Sequence, residues 1–130
     1  MKKLATAGVL AAALVTSAYA ATTTMSAAPT DSYTVTNYYK QSVYDPKQSK
    51  IGDIDDVLVD KSGKVTGLVV GVGGFLGAGE KDVIVPFTAV KTEKKNDNWW
   101  LTLDQTKDDL KSAPGFKYDK ASTTWVPDKK

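Results

Sequence analysis

The acidic residues between positions 53 and 60 are the side chains in this sequence most suited to chemistry. Asp53, Asp55, Asp56 and Asp60 fall within eight residues, and closely spaced carboxylates are the ligands that calcium prefers. The EF-hand pattern is absent, because neither Asp53 nor Asp55 is followed by glycine at the sixth position and glutamate at the twelfth. On a regular strand, Asp53 and Asp55 share a face and Asp56 points away. These acids indicate either a cation site or a solubilising strand and turn, so no metal ligand is assigned.

A glycine-dense stretch, GVGGFLGAG at 71–79, invites a phosphate-binding interpretation. From position 74 it approaches a P-loop, but Glu80 separates the last glycine from Lys81, and Asp82 stands where serine or threonine would hold magnesium. A strand is predicted to follow, so no helix N-terminus is present to bind phosphate. The dinucleotide pattern fails for the same reason. No cofactor is therefore predicted.

Candidate contacts for a protein partner are Phe75, Leu76, Glu80, Lys81 and Trp100. Phe75 and Leu76 either close one end of the fold or form an exposed apolar contact. Glu80 and Lys81 either contact a partner or form a solvated, loop-bracing pair. Trp100 is either packed at the rim of the fold or a platform for a sugar or peptide.

The side chains most often used in catalysis are missing. The chain has no histidine and no cysteine, which removes the commonest general base and the usual nucleophilic pairs. A paired-carboxylate hydrolase would need a cleft and a raised pKa. We predict that the protein is not an enzyme and that it has no catalytic residue.

Strand and turn patterns predict an all-β fold. Five glycines in residues 71–79 exclude a helix there, and the flanking runs 65–72 and 82–86 are rich in β-branched residues. On the strand at 65–72, Gly67 and Gly71 lie on the face that points away from Leu68. Another group must approach the backbone closely at these two glycines. Turn residues at 60–63 and 96–98 predict two hairpins, and Thr106 predicts the N-cap of a helix of little more than two turns. We expect about five to six strands and one short C-terminal helix.

The N-terminus has the parts of a secretory signal peptide. Lys2 and Lys3 precede an apolar run at 4–15, and a small-x-small site predicts cleavage after Ala20. We predict a signal peptide at 1–20, a flexible spacer at 21–32, one domain at 33–118 and a tail at 119–130. After cleavage 15 basic residues face 15 acids, which gives no support for a nucleic-acid partner or for stable membrane insertion.

Residues 51–60, 63–65, 70–83 and 85–87 resemble the PRC-barrel family. The resemblance covers about 38–90 and, with the ending at 110–116, most of the processed chain. It implies a small PRC-type β-barrel. The reaction-centre H subunit and a ribosome-maturation factor use such barrels to hold or bind other proteins, so the resemblance implies a binding or assembly module. It supplies no catalytic residues.

These observations predict a non-catalytic periplasmic protein that binds a protein partner of the cell envelope. The alternative is a periplasmic protein that binds a small ligand or cation through the acids at 53–60 or the aromatic face. The oligomeric state is left open.

Overall fold

The computed structural model describes residues 23–75 and 79–129, and it describes Gly74 and Phe75 by their backbone alone. The predicted signal peptide at 1–20 and Leu76 lie outside the described residues. The chain divides into two units, Met1–Ser32 and Tyr33–Lys130. In the first unit, residues 23–32 are exposed and contain no regular element.

The second unit, Tyr33–Lys130, contains the strands. The eight strands of the described residues belong to one sheet, in the order β5-β6-β1-β2-β3-β4-β7-β8. The β1–β6 pair is parallel and the other pairs are antiparallel. In chain order the elements are a 3-10 helix at Val35–Asn37, β1 (Ser42–Tyr44), β2 (Lys50–Val59), β3 (Val65–Phe75), β4 (Gly79–Pro86), a 3-10 helix at Phe87–Ala89, β5 (Val90–Lys95), β6 (Asn98–Leu103), α1 (Lys107–Lys111), β7 (Phe116–Asp119) and β8 (Thr124–Pro127).

The predicted β-rich class is confirmed, but the predicted count of five to six strands plus a helix is wrong. The sheet has eight strands and is not closed, because β5 and β8 are its two edges in the described part of the chain. The additional pair, β7 and β8, lies in the polar C-terminal segment. The helix has five residues, because Ser112 caps it and Pro114 cannot continue it.

Thr106 begins α1 as the sequence predicts. Its side chain accepts a hydrogen bond from the Asp109 backbone N–H, and the Asp109 carboxylate accepts one from the Thr106 backbone N–H. This capping box satisfies amide groups that the first helical turn leaves without partners. Tertiary packing of Leu110, which is 3% exposed, holds so short a helix in place.

The core lies on one face of the sheet and is built from alternating strand residues. Leu68, Val70 and Val72 of β3 are fully buried there. The other strands and α1 add Val43, Ile51, Ile54, Val83, Val85, Val90, Leu101, Leu103 and Leu110. Burying a side chain of this size contributes about 1.5–3 kcal/mol, so this face holds the fold together. We call the opposite face the outer face.

A β-bulge in β2 changes which acids share the outer face. Asp53 pairs with Gly71, while Asp56 pairs with Val69, and the register shifts between Ile54 and Asp56. Val69 and Gly71 lie two residues apart on a regular part of β3, so their partners lie on the same face. The prediction that Asp56 points away from Asp53 is therefore wrong, because a bulge breaks the two-residue period.

Both predicted hairpin turns form. Asp60 Oδ1 accepts hydrogen bonds from the Ser62 and Lys64 amides and from the Ser62 hydroxyl, and Gly63 adopts φ +92°. Asn96 and Asp97 also adopt positive φ, which these residue types tolerate. Among residues 23–75 and 79–129, no helix has the length and apolar character needed to cross a membrane.

Candidate functional site

Three carboxylates from two strands converge on the outer face. Asp55 lies on β2, Glu80 and Asp82 lie on β4, and one carboxylate oxygen from each lies within 4.8 Å of the others. Strand β3 runs between them, and its Gly71 pairs with Asp82 on one side and Asp53 on the other. We call Asp55, Glu80 and Asp82 the acidic cluster. Their oxygen atoms are suitable ligands for a hard cation.

Gly71 provides the space that the acidic cluster occupies. A Cβ atom at this position would collide with Asp55 Oδ2 and Glu80 Oε2. The prediction that a group approaches the backbone at Gly71 is therefore confirmed. At Gly67 a Cβ would lie 3.2 Å from the Val85 carbonyl oxygen, so the second predicted close approach also occurs.

The environment of the acidic cluster raises the pKa of Asp55. Burial raises the pKa of Asp55 to about 7, and a hydrogen bond to Asp82 and the neighbouring negative charges of Asp82, Asp53 and Asp56 add to the increase. Asp82 Oδ1 is buried and has no hydrogen-bond partner among the described residues. The charged form of Asp55 is disfavoured because a second carboxyl group lies so close to it. Near neutral pH Asp55 can therefore keep its proton or lose it to solvent when a cation binds the cluster.

A groove of about 250 Å³ opens beside the acidic cluster; Glu80 belongs to both, and Gly71, which lies beneath the cluster, also lines the groove. Charges of both signs line it. Lys50 Nζ lies 3.1 Å from Asp53 Oδ1, and Lys107 lines the groove from the start of α1. The remaining lining consists of Ile51, Gly52 and Gly73. The groove is thus polar at its rim and contains three glycines, which suits a polar extended segment.

The side chains of the predicted partner contacts Glu80 and Lys81 lie in different surroundings. Glu80 lies in the acidic cluster and lines the groove. Lys81 Nζ donates hydrogen bonds to the backbone carbonyls of Leu110 and Lys111. These carbonyls belong to the last turn of α1, where a lysine supplies donors that the helix lacks. Lys81 therefore braces α1, and only Glu80 of this pair lies in the groove.

The aromatic candidate Trp100 lies elsewhere in the sheet. Its ring stacks on Tyr44 at 3.9 Å with an interplanar angle of 9°, and Lys95 Nζ lies 4.8 Å from its centroid. In the strand order, β6 is separated from β4 by β1, β2 and β3. Phe75 is the last residue of β3, its side chain is not among those described, and Leu76 lies outside the described residues. The plug and exposed-contact interpretations of this pair both stay predictions.

Sequence reasoning missed Asp82 as a site residue and missed its meeting with Asp55. The two residues are 27 positions apart and come together only because both strands pair with β3. One signal was present, since a glycine between buried valines on β3 indicates that something occupies its side-chain position. Asp56 was noted as acidic, but its actual partner, the Trp125 indole N–H at 2.8 Å, carries no sequence signal.

A comparison with protein families identifies a match that covers most of the sheet and the acidic cluster. The family model described as PRC-barrel domain matches residues 30–110, which is more than half of the chain. The chain belongs to the PRC-barrel family. The resemblance read from the sequence is thereby confirmed. No curated protein matches the chain. The PRC-barrel match contains β1 to β6 and the acidic cluster, and it ends before β7 and β8.

Proposed function

We propose that this PRC-barrel protein is a non-catalytic binding module that holds a protein partner of the cell envelope in the periplasm. The observation that supports the proposal is the open groove at the start of β2 and the end of β3. The proposal agrees with what the family resemblance implies for binding and assembly.

The lining of the groove favours a polar segment of another protein. Lys50 and Asp53 form one ion pair at its rim, and Lys107 and Glu80 add one charge of each sign. A rim with both signs complements a segment that carries both signs, and such complementarity contributes more to specificity than to affinity. Gly73 has nothing within 4 Å of its Cβ position, so a partner backbone can approach closely there.

The proposed periplasmic location is supported by the sequence. Residues 1–20 have the order of a signal peptide, and the chain contains no cysteine. An exported chain without cysteine has no disulfide to form and no thiol to lipidate.

Charge reversal in the groove tests the proposal. A photo-cross-linking residue at position 73 is expected to capture one envelope protein in intact cells. Lys107→Glu is expected to reduce that capture at least about tenfold, because reversing one charge of an interfacial pair costs about 1.4 kcal/mol or more. Position 107 is the first residue of α1, where an acid is favoured by the helix dipole. Loss of folding is therefore not expected, and the melting temperature checks this.

Lys117→Glu is the matched control, because Lys117 is an exposed residue of β7 and does not line the groove. This variant is expected to capture the partner as the wild type does. Equal capture by Lys107→Glu and Lys117→Glu would contradict binding in the groove. The same amount of capture from a cross-linking residue at position 120, in the β7–β8 turn, as from position 73 would also contradict it.

The acidic cluster supports a second candidate function, the binding of a divalent cation. Asp55, Glu80 and Asp82 present oxygens within 4.8 Å of one another, which is a partial ligand set for calcium. Since burial and Asp82 raise the pKa of Asp55 to about 7, cation binding would displace a proton, and its affinity would increase as pH rises through 7 and level off above it.

Calcium titration during thermal unfolding tests this candidate. Calcium at about 100 times its Kd is expected to add about 2.7 kcal/mol to the free energy of unfolding. Asp82→Asn should abolish that increase because it removes one charged ligand, whereas Asp97→Asn, in the β5–β6 turn, should retain it. A melting temperature that does not change up to about 10 mM calcium, above the range of weak extracellular sites, would reject the candidate.

A further inference from the structure

Strands β2 and β3 separate beside the groove. Their ladder ends at the pair Gly52↔Val72, although both strands extend beyond it. The next residues, Ile51 of β2 and Gly73 of β3, are not paired with each other in the described part of the chain. Gly73 also lacks a partner on β4, where the register shifts just after Val72. We call this separation of the two strands, between Ile51 and Gly73, the fork.

The fork favours the end of a chain as its occupant. Ile51 and Gly73 both line the groove, and Gly73 has nothing within 4 Å of its Cβ position. Strand backbone without a ladder partner is the surface to which an extended peptide adds by main-chain hydrogen bonds. Because the pair Gly52↔Val72 closes the fork, an extended chain laid along it has to end there or turn away.

Acidic side chains surround the closed end of the fork. Asp53 pairs with Gly71, which directly precedes the last paired residue of β3, and the Glu80 carboxylate lies against the Gly71 backbone, where a Cβ atom would collide with it. Lys50 neutralises Asp53 at 3.1 Å. Glu80 has no ion-pair partner among the described residues, and it lies beside the other two carboxyl groups of the acidic cluster. This end of the fork therefore attracts a positive charge.

A chain end supplies that positive charge at its amino terminus. The α-ammonium group is protonated at neutral pH, since its pKa is about 7.7–8.0, whereas Glu80 would repel a terminal carboxylate. A lysine side chain also ends in an ammonium group, but its methylene stem has no groups that can pair with the free backbone of Gly73. Lys107 lines the groove as well, and no described acid forms an ion pair with it. It is placed to bind an acidic side chain of the same segment.

We infer that the fork binds the processed amino terminus of an exported partner protein, with its α-ammonium group against Glu80 and an acidic residue near its start against Lys107. The inference rests on the proposed function, because it names the part of the partner that enters the groove. Removal of a signal peptide leaves an exported protein with a new amino terminus at a small-x-small site. Capture of a terminal amine is an established mode of peptide recognition.

Synthetic peptides test the ammonium contact on the purified protein. The probe is Ala-Glu-Ala-Thr-Gly with a free amino terminus and an amidated end, and its Kd is measured by titrating the amide resonances of isotope-labelled protein. Acetylation of the amino terminus is expected to weaken binding at least about tenfold, because it removes the positive charge. Glu80→Gln should weaken binding of the free peptide by a similar factor and leave the acetylated peptide unaffected.

Glu93→Gln is the matched control, because Glu93 is an exposed acid of β5 that does not line the groove. This variant is expected to bind the free peptide as the wild type does. Glu80 is also exposed, so both variants should keep the wild-type melting temperature. The same Kd for the free and acetylated peptides, tighter binding of an acetylated peptide that contains lysine, or no binding up to about 10 mM peptide would overturn the inference.

Mapping of the capture from position 73 separates this inference from the proposed function. Mass spectrometry of the cross-linked product is expected to identify the peptide that begins at the processed amino terminus of the captured protein. Linkage to an internal peptide would overturn the inference and leave the proposed binding function standing. Linkage to the amino terminus of a second copy of this chain would overturn the choice of a partner protein. Absence of any captured protein would overturn both proposals.

Discussion

Asp55 is the side chain whose chemistry the fold changes most. On the sequence it is one of several acids in a row, but the structure places it beside Asp82 and Glu80 above Gly71. Burial and the Asp82 carboxyl raise its pKa from 3.8 to about 7. The folded state therefore binds a proton that the unfolded chain releases between these two pH values. The stabilisation that this proton provides is complete below about pH 4 and is lost as pH rises to 7.

Asp55→Asn is expected to remove this dependence, because the amide is neutral at every pH and can still donate a hydrogen bond to Asp82. At pH 8 the variant should be more stable than the wild type by about 1 kcal/mol, a value already reduced for the partial exposure of the group. Urea unfolding at pH 5 and pH 8 measures the difference. Asp97→Asn, in the β5–β6 turn, serves as the control. A wild-type stability that stays constant between pH 5 and 8 would show that Asp55 titrates normally.

The strands β2 and β3 depend on glycine at some positions and not at others. Gly52 of β2 faces Val72, and a Cβ atom there would collide with the Gly71 carbonyl group. Backbone atoms of a central strand cannot move aside without breaking the ladder. Gly73 of β3 has nothing within 4 Å of its Cβ position and lies in the same groove. The two glycines therefore have different structural roles.

Gly52→Ala is expected to destabilise the protein by about 2 kcal/mol or more, as overpacking against a backbone does. Gly73→Ala should change the free energy of unfolding by less than about 1 kcal/mol and can increase it, because alanine restricts the unfolded chain. Chemical denaturation of both variants gives the comparison. Similar losses at the two positions would mean that glycine is needed throughout this edge of the groove for some reason other than close contact.

The molecule as a whole combines a family domain with two flanking segments. The family match covers residues 30–110; the predicted signal peptide precedes it and the β7–β8 hairpin follows it. The proposed periplasmic function requires that the first segment be removed.

Export predicts a defined processed chain. The protein isolated from the envelope fraction is expected to begin at Ala21, because Ala18 and Ala20 form the small-x-small cleavage pattern. Intact-mass measurement identifies this N-terminus. Leu10→Arg, which introduces a charge into the apolar run at 4–15, should leave the full-length chain inside the cell. Recovery of full-length wild-type protein from the envelope fraction would contradict cleavage.

Much of the fold could be predicted from the sequence because local preferences dictate it. The β-branched runs of β3 and β4, the positive-φ turn at Gly63 and the capping box at Thr106 depend on residues within a few positions of one another. Their geometry follows from backbone sterics and short-range hydrogen bonds. The family motifs also lie in this region, so the PRC-barrel resemblance was visible before any tertiary contact was known.

The candidate site and the contact of Trp125 with Asp56 on the outer face depend on contacts between distant strands. Asp55 meets Asp82 because both neighbour β3, and a bulge that no two-residue period predicts brings Asp56 to the same face. Trp125 reaches Asp56 across 69 positions. Strand register and bulges arise from packing and pairing across the whole sheet, which local propensity does not encode. For this reason the sequence identified Asp55, Glu80 and Gly71 as candidates, and only the folded sheet established that Asp82 joins them.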